Sequence, residues 1–505
     1  MPPEKKPENS RLKWWILATV ILGTFLGRLD QTIVNLALPK IINDFGITVS
    51  AAGWIATAYI IANAVFVPIW GKLGDTKGRK KVYILGFVIF IFGSVLAGLA
   101  WNLTSMLIFR IIQAIAASAD YPTAMAILAV TFTNGKERAQ ALGIWSSSFA
   151  AASVFGPLIG GPLIDSFGWR SVFLVNLPVG LIGLAMALVY IDESVSTVVS
   201  KSFDWFGATA LGAALSALVL VLDQGSIWGW TSANSIICYV AVLAFTVTFI
   251  VIEHYHDEPI VDLKFFKNKL FVNTIINNFV VFMGLMGSVF LVPIFAQTFL
   301  GMTATESGYL FIPLAVFFVL SSPIGGYLIG KVKPSYVIAA STAVAALGLF
   351  LFAGIDPRSG VLAITVPLSV MAFGMGFGMA QRTNLVAVAV PVEEIGVASS
   401  ILALGRNIAG AFGIAIFGTI LSNSAASHLA SIVKNSNLHL PSITSAVGRI
   451  DFIKATSLME LKAQVDAYGT VFLSAGSILL LGAILALFIK VRREDLHQGM
   501  HVHVE

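Results

Sequence analysis

VPIWGKLGDTKGRKKVY, residues 67–83, joins two long apolar runs through a turn of glycines, one acid and several bases. A second stretch, SPIGGYLIGKVKPSY at residues 322–336, repeats its outline. Pro68, Ile69, Gly71 and Leu73 match Pro323, Ile324, Gly326 and Leu328 at a constant offset, and both copies lie where an apolar run meets basic residues. The same structural event recurring half a chain later is the pattern of a transporter made of two parallel repeats.

The rest of the chain agrees. Of 505 residues, 57% are hydrophobic and only 11% charged, with 36 Phe and 45 Gly. Too little polar surface exists to cover a soluble fold, so the chain belongs in a membrane. Apolar runs long enough to cross about 30 Å of hydrocarbon number about fourteen. They cover 12–38, 51–70, 82–100, 103–131, 139–164, 172–191, 205–222, 233–252, 270–299, 306–329, 335–355, 361–390, 396–421 and 469–489. Long spans rich in small residues indicate helices rather than barrel strands. The expected fold is therefore all-α: two six-helix bundles at 1–192 and 263–505, two inserted helices with linkers at 193–262, and an outer loop at 422–468. The repeat pairs the second span with the tenth, which leaves spans seven and eight as the insertion.

Lys and Arg orient the chain with both termini cytoplasmic, in the plasma or inner membrane, and account for the net charge of +5 without a nucleic-acid partner. The polar start MPPEKKPENSRLK precedes a long run with no small-residue cleavage site, so the first span is read as retained. Cys238, the single cysteine, excludes an internal disulfide. HYHDE, residues 254–258, has His at i and i+2, which diverge on a helix and suit interfacial anchoring better than a metal. The tail HQGMHVHVE is read as disordered. With no phosphate-binding loop, ATP-driven transport is disfavoured, and no cofactor is expected.

Ionisable residues inside spans cost several kcal/mol and mark function by default. In GRLDQTIVNLALP, residues 27–39, helical spacing sets Arg28, Gln31 and Asn35 on one stripe and Asp30 on roughly the opposite face. Counted at 1.5 Å per residue, Asp30 and Arg110 reach similar depth. They form either a static buried ion pair or a proton site. Arg110, Gln113, Asp120 and Tyr121 fall on one face of the fourth span, which points Asp120 into the same cavity. Aligning YPTAMAILAV with QRTNLVAVAV brings Arg382 opposite Asp120, as an inner closure or as two separately solvated groups. Gln381, Arg382 and Arg406 complete the expected substrate cavity with Arg28, Gln31, Asn35, Gln113 and Tyr121.

Gly71, Asp75, Gly78, Arg79 and Lys80 suit a gate: glycines let the chain reverse, and Asp75 can cap a helix or pair with Arg79. Their spacing, Gly-x-Leu-x-Asp-x-x-Gly-Arg-Lys, resembles the cytoplasmic signature of the major facilitator superfamily. RIIQA, residues 110–114, resembles the superfamily's Arg-x-x-Gln-Gly element, with Ala114 where Gly is usual. Gly143 followed by FGPLIGGPL, with Gly156, Pro157, Gly160 and Gly161, resembles the antiporter signature, with Ala152 at one usual Gly. GWRSVFLVNLPVG (168–180), LDQTIVNLALP (29–39) and RNIAGAFG (406–413) are similar to elements of the fourteen-span drug:proton antiporter family.

The resemblance implies an exporter of amphipathic small molecules driven by inward proton flow. Burial and helical spacing make Asp30, Arg110 and Asp120 the candidate proton-coupling residues, and a non-enzymatic monomer is expected. Two other readings stand beside it. Arg28 and Arg382 lie outside the matched pattern and suit anionic amphiphiles or lipids, and a membrane sensor on the same scaffold is disfavoured because no soluble domain is attached.

Overall fold

A computed structural model describes residues 10–47, 49–194, 204–256, 259–358, 360–391, 394–435 and 446–491. The helices in chain order are α1 (Ser10–Phe45), α2 (Val49–Lys77), α3 (Arg79–Gly98), α4 (Leu103–Ala117), α5 (Asp120–Thr131) and α6 (Gly135–Phe167). Next come α7 (Ser171–Leu174), α8 (Asn176–Tyr190), α9 (Trp205–Trp228), α10 (Ala233–Tyr255), α11 (Lys269–Phe299) and α12 (Ala304–Tyr309). The last are α13 (Phe311–Tyr327), α14 (Pro334–Leu351), α15 (Val361–Val388), α16 (Ile395–Asn435) and α17 (Ala446–Ala486).

Three spans are each built of two helices: α4 with α5, α7 with α8, and α12 with α13. Each break lies about one turn before a proline. Pro122, Pro178 and Pro313 have no N–H to offer the carbonyls of Ser118, Leu174 and Tyr309, so the ladder lapses there. Counted this way, thirteen helical stretches among the described residues are long and apolar enough to cross a membrane. With α6, 33 residues long, there are fourteen.

The repeat is visible in three dimensions. α3 starts at Arg79 and α14 at Pro334, the same distance along the chain from Pro68 and Pro323. The two halves meet where α2 packs on α16 and α6 packs on α13. Exchanging the halves maps the first contact onto the second, because the second span corresponds to the tenth and the fifth to the thirteenth. α9 packs against α2, α16 and α10. α10 turns Ile237, Val240, Leu243 and Val247 outward, as a lipid-facing helix must.

The expected outer loop at 422–468 is helical wherever it is described. α16 and α17 each have 41 residues, about 60 Å at 1.5 Å per residue, twice the hydrocarbon thickness. Both continue past the bilayer as a packed pair, with His428 Nε2 3.2 Å from Thr470 Oγ1 and an i,i+4 bond from Lys462 Nζ to Asp466 Oδ1 of 2.6 Å. Falling hydropathy marks where the membrane ends, and a helix need not end with it. Residues 452–465 are thus part of one continuous helix.

Candidate functional site

The turn after α2 locks the two halves together on the side that the basic residues assign to the cytoplasm. Gly78 has φ 113°, a conformation that favours glycine, and lets α3 begin at Arg79. The carboxylate of Glu193 accepts from the backbone N–H groups of Lys80 (3.1 Å) and Lys81 (3.2 Å), which satisfies orphan donors of α3. Lys80 Nζ donates to the Leu188 carbonyl at 2.9 Å.

Asp75 is 4% exposed. Its Oδ1 accepts from Arg79 Nε (3.2 Å) and Nη2 (3.1 Å), and its Oδ2 accepts from the Val397 N–H (3.1 Å) in the first turn of α16. A carboxylate at a helix N-terminus meets both unsatisfied N–H groups and the positive end of the dipole. The approach requires small neighbours. A Cβ on Gly396 would lie 2.5 Å from Asp75 Oδ2, and one on Gly71 2.8 Å from the Gly396 carbonyl oxygen.

The antiporter-like glycines also sit at close approaches. A Cβ on Gly143 would lie 3.0 Å from the Ser322 carbonyl oxygen in the opposite half, and Ser322 Oγ donates to the Gly143 carbonyl (2.8 Å). Gly156 and Gly160 face Thr32 and Ile33 of α1, whereas Gly161 faces open space. The side chains of Pro157 and Asn35 lie outside the described residues.

Asp30, fully buried, turns into the N-terminal bundle. Its Oδ2 accepts from Arg110 Nη1 at 2.6 Å, and its Oδ1 accepts from Gln113 Nε2 (2.9 Å) and Asn176 Nδ2 (2.8 Å). Arg110 also lies over the Tyr59 ring, 4.1 Å from its centroid. Asn176 reaches Ser94 Oγ (2.9 Å), which donates to the Phe173 carbonyl (2.8 Å). Three donors, one of them the cation Arg110, saturate this carboxylate, the pattern of a structural ion pair.

Asp120 differs. It lies just past the break between α4 and α5, so it does not share the environment of Arg110 and Gln113. Thr24 Oγ1 donates to its Oδ2 at 2.7 Å, and Trp145 Nε1 donates to Thr24 Oγ1 at 2.9 Å. Indole is a donor only, so Thr24 accepts from Trp145 and directs its single proton to Asp120. Oδ1 of Asp120 is buried beside the Tyr83 hydroxyl and has no short hydrogen bond among the described residues. No cation lies within ion-pair distance of Asp120 among those residues.

Asp120, Arg28, Gln31, Tyr59, Tyr121 and Asn407 line a cavity of about 30 Å³ between the halves. Arg28 Nη1 donates to Gln31 Oε1 at 3.0 Å. The divergence of Arg28 and Gln31 from Asp30 around α1 is thus a division between cavity wall and bundle interior. Gln113, Gln381, Arg382 and Arg406 do not line this cavity.

The contact expected between Asp120 and Arg382 is absent. Arg382 points into its own half, where Nε donates to Asn277 Oδ1 (2.8 Å) and Nη2 to Thr342 Oγ1 (2.6 Å). Arg406 on α16 crosses instead, with Nη1 donating to Tyr121 Oη at 2.7 Å. The repeat alignment did not give the direction of Arg382. α16 packs on α5, while α15 packs on α13 and α14. Gln381 is fully buried, and its amide N and O lack hydrogen-bond partners among the described residues.

No group of three or more His, Cys, Asp or Glu among the described residues is arranged to hold a metal. Glu193, Gly396, Thr24, Trp145, Asn176 and Asn277 were not singled out by sequence reasoning. Each is an ordinary residue whose part appears only when distant segments meet.

The profile of the Major Facilitator Superfamily matches residues 20–414. The chain is 34% identical over 420 residues to "Multidrug transporter protein MdtP" of Bacillus subtilis (strain 168), covering 82% of this chain and 76% of that protein. It is 31% identical over 401 residues to "Multidrug resistance protein Stp" of Mycobacterium tuberculosis (strain ATCC 25618 / H37Rv), covering 79% and 74%. Among solved structures, the human organic anion transporter MFSD10 superposes with TM-score 0.63 at 13% identity, covering 95% of this chain and 100% of that one. The proton:xylose symporter XylE gives 0.62 at 14% identity, covering 98% of each. At those identities the solved structures speak for the fold alone. With two bundles related by a repeat, a cavity between them, a turn of the signature form and this profile over most of its length, the chain belongs to the Major Facilitator Superfamily.

Proposed function

We propose that the chain is a multi-pass transporter of the cell membrane that exports drugs or other amphipathic small molecules by alternating access, coupled to inward proton flow. The observation that carries the coupling is Asp120: a half-buried carboxylate in the wall of the cavity between the halves, which Arg28 also lines, with no cation at ion-pair distance among the described residues. A saturated ion pair such as Asp30–Arg110 costs too much to break in each cycle. Asp120, with one oxygen held by Thr24 and the other beside the Tyr83 hydroxyl, can take up a proton without breaking an ion pair. Export of drugs is supported by relatives named as multidrug transporters. Both halves of the cavity come from one chain, so a monomer suffices.

The alternation draws on the gate. Asp75 on the first turn of α16 and Tyr121 on Arg406 hold the cytoplasmic half closed. Opening inward requires both to part. Vesicles containing the purified chain, given an inward-directed proton gradient, test the reading. The parent carries an amphipathic dye against its gradient, and Asp120→Asn retains dye binding but loses gradient-driven flux. Flux that persists undiminished in Asp120→Asn sinks the assignment.

A further inference from the structure

The buried charges do not balance. In the N-terminal half Arg110 has Asp30, and Arg79 has Asp75. In the C-terminal half, Arg382 (2% exposed) and Arg406 (5%) have no such partner. Arg382 donates to Asn277 Oδ1, Thr342 Oγ1 and Ser341 Oγ. Arg406 donates to Asn278 Oδ1 (3.3 Å), Tyr121 Oη (2.7 Å) and Thr383 Oγ1 (3.3 Å). All six acceptors are neutral. Among the described residues, no Asp or Glu lies within ion-pair distance of either guanidinium.

The two cations are also neighbours: Arg406 bonds the residue that follows Arg382 in the chain, and their charges repel. Neutral oxygens solvate a guanidinium without cancelling its charge, and a charged arginine at membrane depth is costly. A guanidinium has five N–H groups. Each of these two arginines uses three of them in the bonds above. The remainder can serve an added acceptor. Ala403 and Asn407, which flank Arg406 on α16, and Tyr121, which binds it, line the central cavity. That cavity, about 30 Å³, is the size of a small ion rather than of a drug.

We propose that a monovalent anionic group, a halide or a carboxylate, binds beside Arg382 and Arg406, behind the wall that Tyr121 and Asn407 give the central cavity. It contributes the negative charge that the C-terminal half lacks. This assignment does not depend on what drives transport, so it stands or falls separately from the proton reading. A resident inorganic ion and a carboxylate carried by the cargo share this chemistry.

Thermal unfolding of the purified full-length chain in neutral detergent, without cargo and at constant ionic strength, separates the sources. Sodium isethionate, whose sulfonate is bulky, is the reference salt, and chloride, bromide or octanoate replaces part of it. A saturable rise in melting temperature with the halides identifies a resident ion, and a rise with octanoate alone identifies a cargo carboxylate; both support the site. In Arg382→Gln and Arg406→Gln the midpoint of that rise should move about tenfold upward in anion concentration, the loss of a charge-assisted contact. Arg406→Lys keeps the charge, loses the fork and serves where the Gln variants are too unstable. No rise with any of the three anions, or an unchanged midpoint in all three variants, overturns the proposal.

Discussion

Asp75 on α2 accepts the Val397 N–H in the first turn of α16 at 3.1 Å, so one carboxylate joins the two halves of the transporter. It binds Arg79 at the same time. Asp75→Asn removes the carboxylate charge from its buried pair with Arg79, a loss of about 3–5 kcal/mol. Gly396→Ala strikes the same contact from the other side, because its Cβ would lie 2.5 Å from Asp75 Oδ2. Both variants should loosen the closed cytoplasmic side. A cysteine placed at Ser400, fully buried in the parent, then labels severalfold faster from the cytoplasmic face. Unchanged labelling in both would show that the contact does not hold the gate.

Asp30 and Asp120 should separate cleanly by experiment. Removing the charge of Asp30 strands Arg110 in the bundle, so Asp30→Asn loses about 3–5 kcal/mol and melts several degrees lower. Asp120 has no ion pair to lose, and Asp120→Asn keeps the Thr24 bond through its amide oxygen. Its melting temperature should stay within about two degrees of the parent. Melting curves of both variants under one condition are the measurement, and the reverse ranking would exchange the two roles.

Trp145 is the largest fully buried side chain and links the carboxyl to the boundary between halves. Its indole orients Thr24 toward Asp120, and its ring lies 5.0 Å from that of Tyr121, which receives Arg406. Trp145→Phe retains most of the packing and frees the Thr24 hydroxyl to turn away. Gradient-driven flux should fall about tenfold, while equilibrium cargo binding stays within about twofold. Trp145 acts here as a positioning residue, and a purely structural role would lower both together.

These assignments mark how far the chain could be read before folding. Hydropathy alone located the spans, because about 30 Å of hydrocarbon demands a minimum apolar length whatever the tertiary contacts. Helical spacing separated Asp30 from Arg28 and matched its depth to Arg110, since both follow from rise and turn along single helices. What escaped was direction across helices. Whether Arg382 or Arg406 meets the N-terminal half depends on which face of α15 and α16 packs where, and residues one apart differ by 100°. Glu193 and Gly396 were invisible for a similar reason: an acid after the sixth span and a glycine at the start of the thirteenth acquire meaning only beside residues 75–81.

At the opposite end of α1 from Asp75, Asp44 Oδ2 accepts from Trp169 Nε1 and Arg170 Nη1, both at 2.9 Å. The Trp169 bond first, and then Arg170, hold its carboxyl below the ordinary value. For a depressed acid, the contribution to stability is complete above the unfolded value, about 3.9, and is lost as pH falls through the lower folded value. Asp44 is half exposed, so the gain is small. Melting of the parent and Asp44→Asn should differ slightly above pH 5 and converge toward pH 3. A difference that grows on acidification would contradict the sign.

The segment RNIAGAFG ends on Gly413, and the structure explains why that position differs from Gly410. α11 and α16 approach backbone to backbone: a Cβ on Gly413 would lie 2.1 Å from the Met283 carbonyl oxygen and 3.1 Å from the Gly287 nitrogen. Backbone cannot yield there without separating the two helices along their length, and small-residue contacts are what bring membrane helices together. At Gly410 the nearest atoms belong to the Met286 side chain, at 3.3 and 3.4 Å, and a thioether chain turns aside at little cost. Gly413→Ala should therefore lose more than about 2 kcal/mol, while Gly410→Ala stays within about 0.5 kcal/mol of the parent. Monodispersity after extraction and the melting temperature of the two variants decide it, and equal tolerance of both would mean that α11 and α16 do not meet as closely as their glycines allow.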